Sequence, residues 1–232
     1  MESWVERARR NAAREAVKLV ENRFTVGLGS GRTVSQAIIE LGRRVREEGL
    51  QVQCVPSSYQ AMLEALEAGL KLVDLYSSPQ VDLTIDGADE VDRRLNLTKG
   101  GGAALTREKI LASVSKRYVI IVDEEKLVER LGSRSPIPVE VIPFAAPAVK
   151  RRLEGYGRVE YRTGSGKLGP VVTDNGNFLL DLYLDGLDSP EGFEAEVKRI
   201  PGVVEVGVFT GLADEVYVGL KDGNVKKLTR HG

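Results

Sequence analysis

The sequence predicts an α/β fold: a Rossmann-like, doubly wound, mostly parallel sheet with an inserted, smaller α+β domain of ferredoxin-like type. Three observations lead there. Over residues 1–132, short apolar runs alternate with amphipathic helical stretches, the pattern of a parallel sheet with helices on its faces. Two of those runs lead into glycine-rich turns that open the next helix. Beyond Gly132 the texture changes: Ser135-Pro136-Ile137-Pro138 punctuates the chain, and the order becomes β-α-β-β-α-β with one extra hairpin element. A chain of 232 residues can bury a core in one large or two smaller domains. We expect 1–132 with 207–232 as one domain and 133–206 as the other.

Taken in order, Ser3 and Glu6 have capping-box spacing ahead of a helix reaching about Val20. Phe24–Leu28 reads as a buried strand and Val34–Glu48 as a helix that Gly49 stops. A strand over Leu50–Val55 follows, then a helix over Tyr59–Ala68, capped by Ser57 or Ser58 and ended by Gly69. Lys71–Leu75 and Val81–Ile85 read as strands three and four. A helix over Ala103–Ser115, a strand over Arg117–Val122 and a short helix over Glu124–Leu131 complete the first run. In the second, Val139–Ile142 is a strand and Ala146–Glu154 a helix. Val159–Arg162, Val171–Thr173 and Asn177–Leu184 are strands, the last two joined by an Asp174-Asn175-Gly176 turn. Ser189–Ile200 is helical and Val203–Phe209 extended. The strand Glu215–Leu220 returns to the first sheet, and Asp222-Gly223-Asn224 turns into a short tail.

Composition narrows the chemistry. Net charge is −1, so no global field recruits nucleic acid or an anionic membrane, and an anionic substrate needs a local site. No apolar run approaches a membrane span, and the charged N-terminus lacks a signal peptide's apolar core, so a cytoplasmic protein is expected. The single cysteine, Cys54, excludes an internal disulfide. The single histidine, His231, adjoins the C-terminus, where fraying is the expectation. Histidine-based nucleophile systems and His/Cys zinc sites therefore lack residues, and acid–base work falls to carboxylates and lysines.

The stretch from Asp82 to Ser115 gathers most candidates. Asp86 and Asp89 flank Gly87-Ala88 at the carboxyl end of a strand, where open parallel sheets bind ligands. Two nearby carboxylates push their pKa values apart, so one acts as acid while the other is base; the alternative is a solvated turn capped by Asp. Glu90 and Asp92 read as solvent-facing charge. Lys99-Gly100-Gly101-Gly102 sets a cation beside a glycine run, which suits close approach to a small ligand better than a flexible connector. On the following helix Glu108 falls within the apolar arc of Leu105, Leu111 and Ala112. A carboxylate there has its charged form desolvated and its pKa raised, as a general base near neutrality requires, unless it snorkels to water. Earlier in the chain, Gly27-Leu28-Gly29-Ser30-Gly31-Arg32-Thr33 links a strand to a helix. Arg32 breaks the G-x-G-x-x-G spacing, and Val26 and Arg32 break the P-loop pattern. A phosphate cradle of another kind or an unliganded tight turn remains. Lys126, after the fifth strand, offers either a point charge to a phosphate or one more surface lysine.

These residues together resemble ribose-5-phosphate isomerase, type A. The pattern is a G-x-G-[TS]-G-x-T turn, D-G-A-D-E, K-G-G-G, a Glu nine residues after that Lys, and a Lys in the loop after the next strand. All five stand here in order, and the resemblance runs over most of the chain, the inserted domain included. It implies an aldose–ketose isomerase acting on a sugar phosphate without cofactor or metal, forming homodimers or homotetramers with the small domain at the interface. By resemblance Glu108 is the base, moving a proton between C2 and C1 through a cis-enediolate, and Lys99 stabilises the oxyanion. Asp86 and Asp89 contact sugar hydroxyls and assist ring opening. Ser30, Gly31, Arg32, Thr33 and Lys126 bind the substrate and its phosphate, with Gly87, Ala88, Gly100, Gly101 and Gly102 lining the site. Arg32 departs from the family's serine there and adds a guanidinium near the expected phosphate. A related amino-sugar phosphate deaminase would be expected to use a histidine. A non-catalytic sugar-phosphate sensor would carry a DNA-binding helix pair ahead of the first helix expected here.

Overall fold

The computed structural model describes residues 3–166 and 168–230; His231 lies outside them. Along the described chain the elements are α1 (Trp4–Val17), β1 (Thr25–Leu28), α2 (Arg32–Glu48), β2 (Gln53–Pro56), α3 (Tyr59–Glu67), β3 (Leu83–Asp86), β4 (Glu90–Val91) and β5 (Leu97–Thr98). Then come α4 (Leu105–Val114), β6 (Tyr118–Asp123), β7 (Ile137–Val141), α5 (Ala146–Leu153), β8 (Arg158–Tyr161) and β9 (Phe178–Tyr183). The chain continues through α6 (Pro190–Lys198), β10 (Val203–Val206), β11 (Val208–Phe209), β12 (Glu215–Gly219) and β13 (Val225–Thr229). No helix of the described residues is long and apolar enough to cross a membrane.

The chain divides into two compact units. The first holds Met1–Ala88, Arg107–Lys126 and Leu212–Gly232; the second holds Asp89–Thr106 and Leu127–Gly211. One division falls between Thr106 and Arg107, inside α4. The second unit thus takes in residues 89–106, 127–132 and 207–211, which the sequence reading assigned to the first domain. Strand pairing is the reason: β4 and β5 form a three-stranded antiparallel sheet with β11.

The first unit is a sheet in the order β13-β12-β6-β3-β1-β2, parallel except for β13. Every residue of β1, β3 and β6 is buried, as strands covered on both faces require. Helix α1 starts as expected: Ser3 Oγ accepts from the Glu6 N–H at 3.2 Å and the Glu6 carboxylate accepts from the Ser3 N–H at 2.9 Å. It buries a face of small residues, Ala8, Ala12, Ala13 and Ala16. Gly219 of β12 fits beneath it; a Cβ there would lie 2.1 Å from the Ala8 carbonyl oxygen. Gly49 ends α2 at φ 71°, a left-handed conformation that glycine adopts without penalty. The Lys71–Leu75 run contributes one parallel bridge, Leu72 to Cys54, rather than a strand. Where a short tail was expected after Asp222-Gly223-Asn224, β13 folds back antiparallel on β12.

The second unit's main sheet is antiparallel, in the order β10-β7-β9-β8, with α5 and α6 in the β-α-β-β-α-β connections. Its core joins Ile137, Val139, Val141, Val149, Leu153, Leu180, Leu182 and Val197. Val171–Thr173 forms only an isolated bridge, Val172 to Phe178. The expected strand Val203–Phe209 breaks into β10 and β11 at Gly207. The Gly207 N–H donates to the Pro138 carbonyl at 2.7 Å, and its own carbonyl accepts from Lys99 N–H at 2.9 Å. The helix expected over Glu124–Leu131 is a single 3-10 turn, Glu124–Lys126.

Glu90 does not face solvent as the sequence suggested, and Asp92 is half-buried. Glu90 is buried, and its carboxylate accepts from the N–H groups of Gly132, Arg134 and Ser135 at 2.6–2.9 Å and from Thr98 Oγ1. Asp92 Oδ1 accepts from the N–H groups of Arg94 and Asn96, both at 2.8 Å, closing the turn between β4 and β5. Both carboxylates therefore satisfy turn backbone.

Candidate active site

In the first unit the parallel strands β2, β1, β3 and β6 end at one edge of the sheet, and strand order reverses beside β1, the position at which open α/β sheets bind ligands. Asp86, the last residue of β3, is wholly buried there. Its Oδ1 accepts from the N–H of Gly87 at 2.7 Å and of Ser30 at 3.3 Å, and its Oδ2 from the Tyr118 hydroxyl at 2.8 Å. A carboxylate out of water needs such donors in place of the water it has lost. The Tyr118 hydroxyl is in turn a fixed donor. Burial raises its pKa well above the ordinary tyrosine value, and the charges of Asp86 and Glu108 add to the effect.

The glycine turn after β1 is shaped by that carboxylate. A Cβ on Gly29 would lie 1.9 Å from Asp86 Oδ1. Gly29→Ala is therefore expected to push the carboxylate off its donors. Unfolding in urea should show a loss of about 1–3 kcal/mol from overpacking, and turnover should fall with it; a variant matching wild type in both would remove Asp86 as the reason for this glycine. Next in the chain, Ser30 Oγ lies 2.8 Å from Ser57 Oγ and donates to Ser58 Oγ at 2.7 Å, while Gly31 N–H donates to Gln60 Oε1 at 3.0 Å. Gly31, at φ 97°, precedes α2 without a side-chain cap, so the N–H groups of the first turn meet no capping oxygen from it, a setting that favours anions. Arg32 is exposed and Thr33 half-buried.

Glu108 is 4% exposed, on α4. Lys126 is half-buried in the turn after β6. That turn is anchored by Asp123, whose Oδ2 pairs with Arg9 Nε at 2.9 Å while Oδ1 accepts from the Glu125 N–H at 3.2 Å. Cys54, buried in β2, has its thiol pushed up to about 12 by burial, which leaves it protonated and inert near neutrality.

The second unit holds Asp89, Lys99 and the triple glycine. Lys99 is 3% exposed, with Nζ 5.6 Å from the centre of the Phe209 ring, within cation–π range. Asp89 N–H donates to the Thr98 carbonyl, and Asp89 Oδ2 accepts from the Gly101 N–H, both at 2.8 Å. A Cβ on Gly101 would lie 2.6 Å from Asp89 Oδ1, so this glycine answers to a close approach rather than to flexibility.

Sequence reasoning missed Tyr118, Ser57, Ser58 and Gln60 as neighbours of Asp86 and Ser30. Ser57-Ser58 had a usable signal, because the pair follows β2 at the sheet edge where Ser30 follows β1. Tyr118 opens an apolar strand and looks like core; only its hydroxyl's partner, 32 residues earlier, marks it.

The model of the ribose 5-phosphate isomerase A (phosphoriboisomerase A) family matches residues 53–223. A ribose-5-phosphate isomerase A of Methanothermobacter thermautotrophicus is 54% identical over 91% of this chain and 93% of its own length. The structure of ribose 5-phosphate isomerase A from Methanocaldococcus jannaschii superposes with a TM-score of 0.92 at 45% identity, covering 96% of this chain and 98% of that one. A D-ribose-5-phosphate isomerase solved in complex with phospho-erythronic acid gives a TM-score of 0.95 at 43% identity, over 99% of this chain and 100% of that one.

Proposed function

The chain belongs to the ribose 5-phosphate isomerase A family, and from that premise we propose that it interconverts D-ribose 5-phosphate and D-ribulose 5-phosphate through a cis-enediolate, with Glu108 as the base. Glu108 takes the proton from C2 of the open-chain aldose, and the electron pair moves through C1 onto O1. The carboxyl then returns the proton to C1 as O1 gains a proton and O2 loses one, which leaves the ketose. Lys99 stabilises the negative charge that builds on oxygen, a contribution often the largest in such reactions. Asp86 and Asp89 contact sugar hydroxyls and assist ring opening. Ser30, Gly31, Arg32, Thr33 and Lys126 hold the phosphate end, while Gly87, Ala88 and Gly100–Gly102 line the sugar.

The observation that best supports this reading is the burial of Glu108, 4% exposed nine residues after Lys99 in a chain of this family. The first turn of α2 beyond Gly31, which has no side-chain cap, suits an anion. The protein works in the cytoplasm as a homodimer or homotetramer, assembled through the domain at 133–206.

Ribose 5-phosphate supplied with and without EDTA, with ribulose 5-phosphate followed directly, tests the proposal. Turnover at the same rate in both is expected. Loss of activity with the chelator would contradict a metal-free reaction. Binding without turnover would favour a sensor, and ammonia released from an amino-sugar phosphate a deaminase.

A further inference from the structure

The triple-glycine loop is gripped by a side chain about sixty residues further on. Arg162 follows β8, and its Nη1 donates to the carbonyl oxygens of both Gly100 and Gly101, the second at 3.2 Å. Its Nε donates to Asp181 Oδ2 at 2.9 Å and its Nη2 to Oδ1. The two side chains are 14% and 11% exposed. A two-pronged pairing with a carboxylate fixes the plane of the guanidinium, so the remaining nitrogen is aimed rather than free to swing.

Peptide planarity converts this grip into control of N–H groups. In a trans peptide the C=O and N–H point in opposite directions, and the described chain has no cis bond. Arg162 draws the Gly100 carbonyl to one side, and the Gly101 N–H emerges on the other, where Asp89 Oδ2 accepts it at 2.8 Å. That peptide is held at both ends by side chains of opposite charge. The next peptide has its carbonyl on Arg162 too, which turns the Gly102 N–H away from the guanidinium. A Cβ on Gly102 would meet nothing within 4 Å, so there is room beside it for another molecule.

We propose that Arg162, braced by Asp181, is a positioning residue for the isomerisation: it aims the Gly102 N–H at the substrate oxygen on which negative charge develops. The inference rests on the Lys99 loop belonging to the substrate site. Arg162→Lys keeps a positive charge but cannot hold two carbonyls and a carboxylate in one plane. Asp181→Asn keeps the volume and removes the brace, and serves if the first variant fails to fold.

Wild type is measured first; if it does not isomerise ribose 5-phosphate, the functional reading fails and Arg162 is not at issue. Given wild-type turnover, each variant is expected to lose about tenfold to a hundredfold in kcat with KM changed by no more than about threefold. Affinity for phospho-erythronic acid, whose planar carboxylate mimics the enediolate, should fall by a similar factor, while affinity for inorganic phosphate holds. Non-additive losses in the double variant would support a single device. Variants with wild-type kcat, or with phosphate and phospho-erythronic acid weakened equally, would overturn the proposal and leave Arg162 a structural residue.

Discussion

Glu108→Gln is expected to lower kcat by roughly 10²–10⁴-fold, the usual contribution of a positioned base, with ribose 5-phosphate still bound within a few-fold of wild type. Glutamine keeps the shape of the side chain but cannot accept a proton from carbon. Glutamine is close in volume to the buried glutamate, and far-UV circular dichroism serves as the folding control. The sharper readout is exchange: wild type in heavy water should wash hydrogen out of C2 of the substrate, and the variant should not. A variant that retains near-wild-type kcat, or that still exchanges C2, would remove Glu108 from the reaction.

Lys99→Met should cost roughly 10²–10³-fold in kcat, as loss of one preorganised stabiliser of an oxyanion does elsewhere. Methionine fills the space of the lysine stem. The backbone is fixed independently of the charge, since Lys99 N–H donates to the Gly207 carbonyl at 2.9 Å. What disappears is a buried cation beside Phe209, where the low dielectric strengthens its field. Steady-state kinetics with far-UV circular dichroism as a folding control measures this. A kcat within threefold of wild type would show that the oxyanion is stabilised by other groups.

Much of the architecture was legible because its signals are local. The Ser3/Glu6 box, the glycines after α2 and α3, and the apolar runs of β1, β3 and β6 act within a few residues of themselves. The parts that misled depend on distant partners. Glu90 stands in a run of acidic residues and resembles surface charge, yet the N–H groups it satisfies lie 42–45 residues away. β4 and β5 have two residues each, too few to show a period, and are defined by pairing with each other and, for β5, with β11. Gly207 reads as the middle of one strand, but its two hydrogen bonds send the chain from one sheet to another. At the site the pattern is the same. The spacing from Gly27 to Thr33 announces a turn, but the reason for Gly29 is a carboxylate 57 residues later. The grip of Arg162 on Gly100 and Gly101 leaves no trace in the sequence at all.

The parallel pairing of β12 with β6 bears on how the protein comes into being. A ribosome makes β12 about ninety residues after β6, so during synthesis β6 is an open sheet edge, ready to pair with other chains. Most of the second unit emerges before that edge is covered. Closing the first sheet must therefore wait for the distal part of the polypeptide, and that long loop closure adds to its entropic cost.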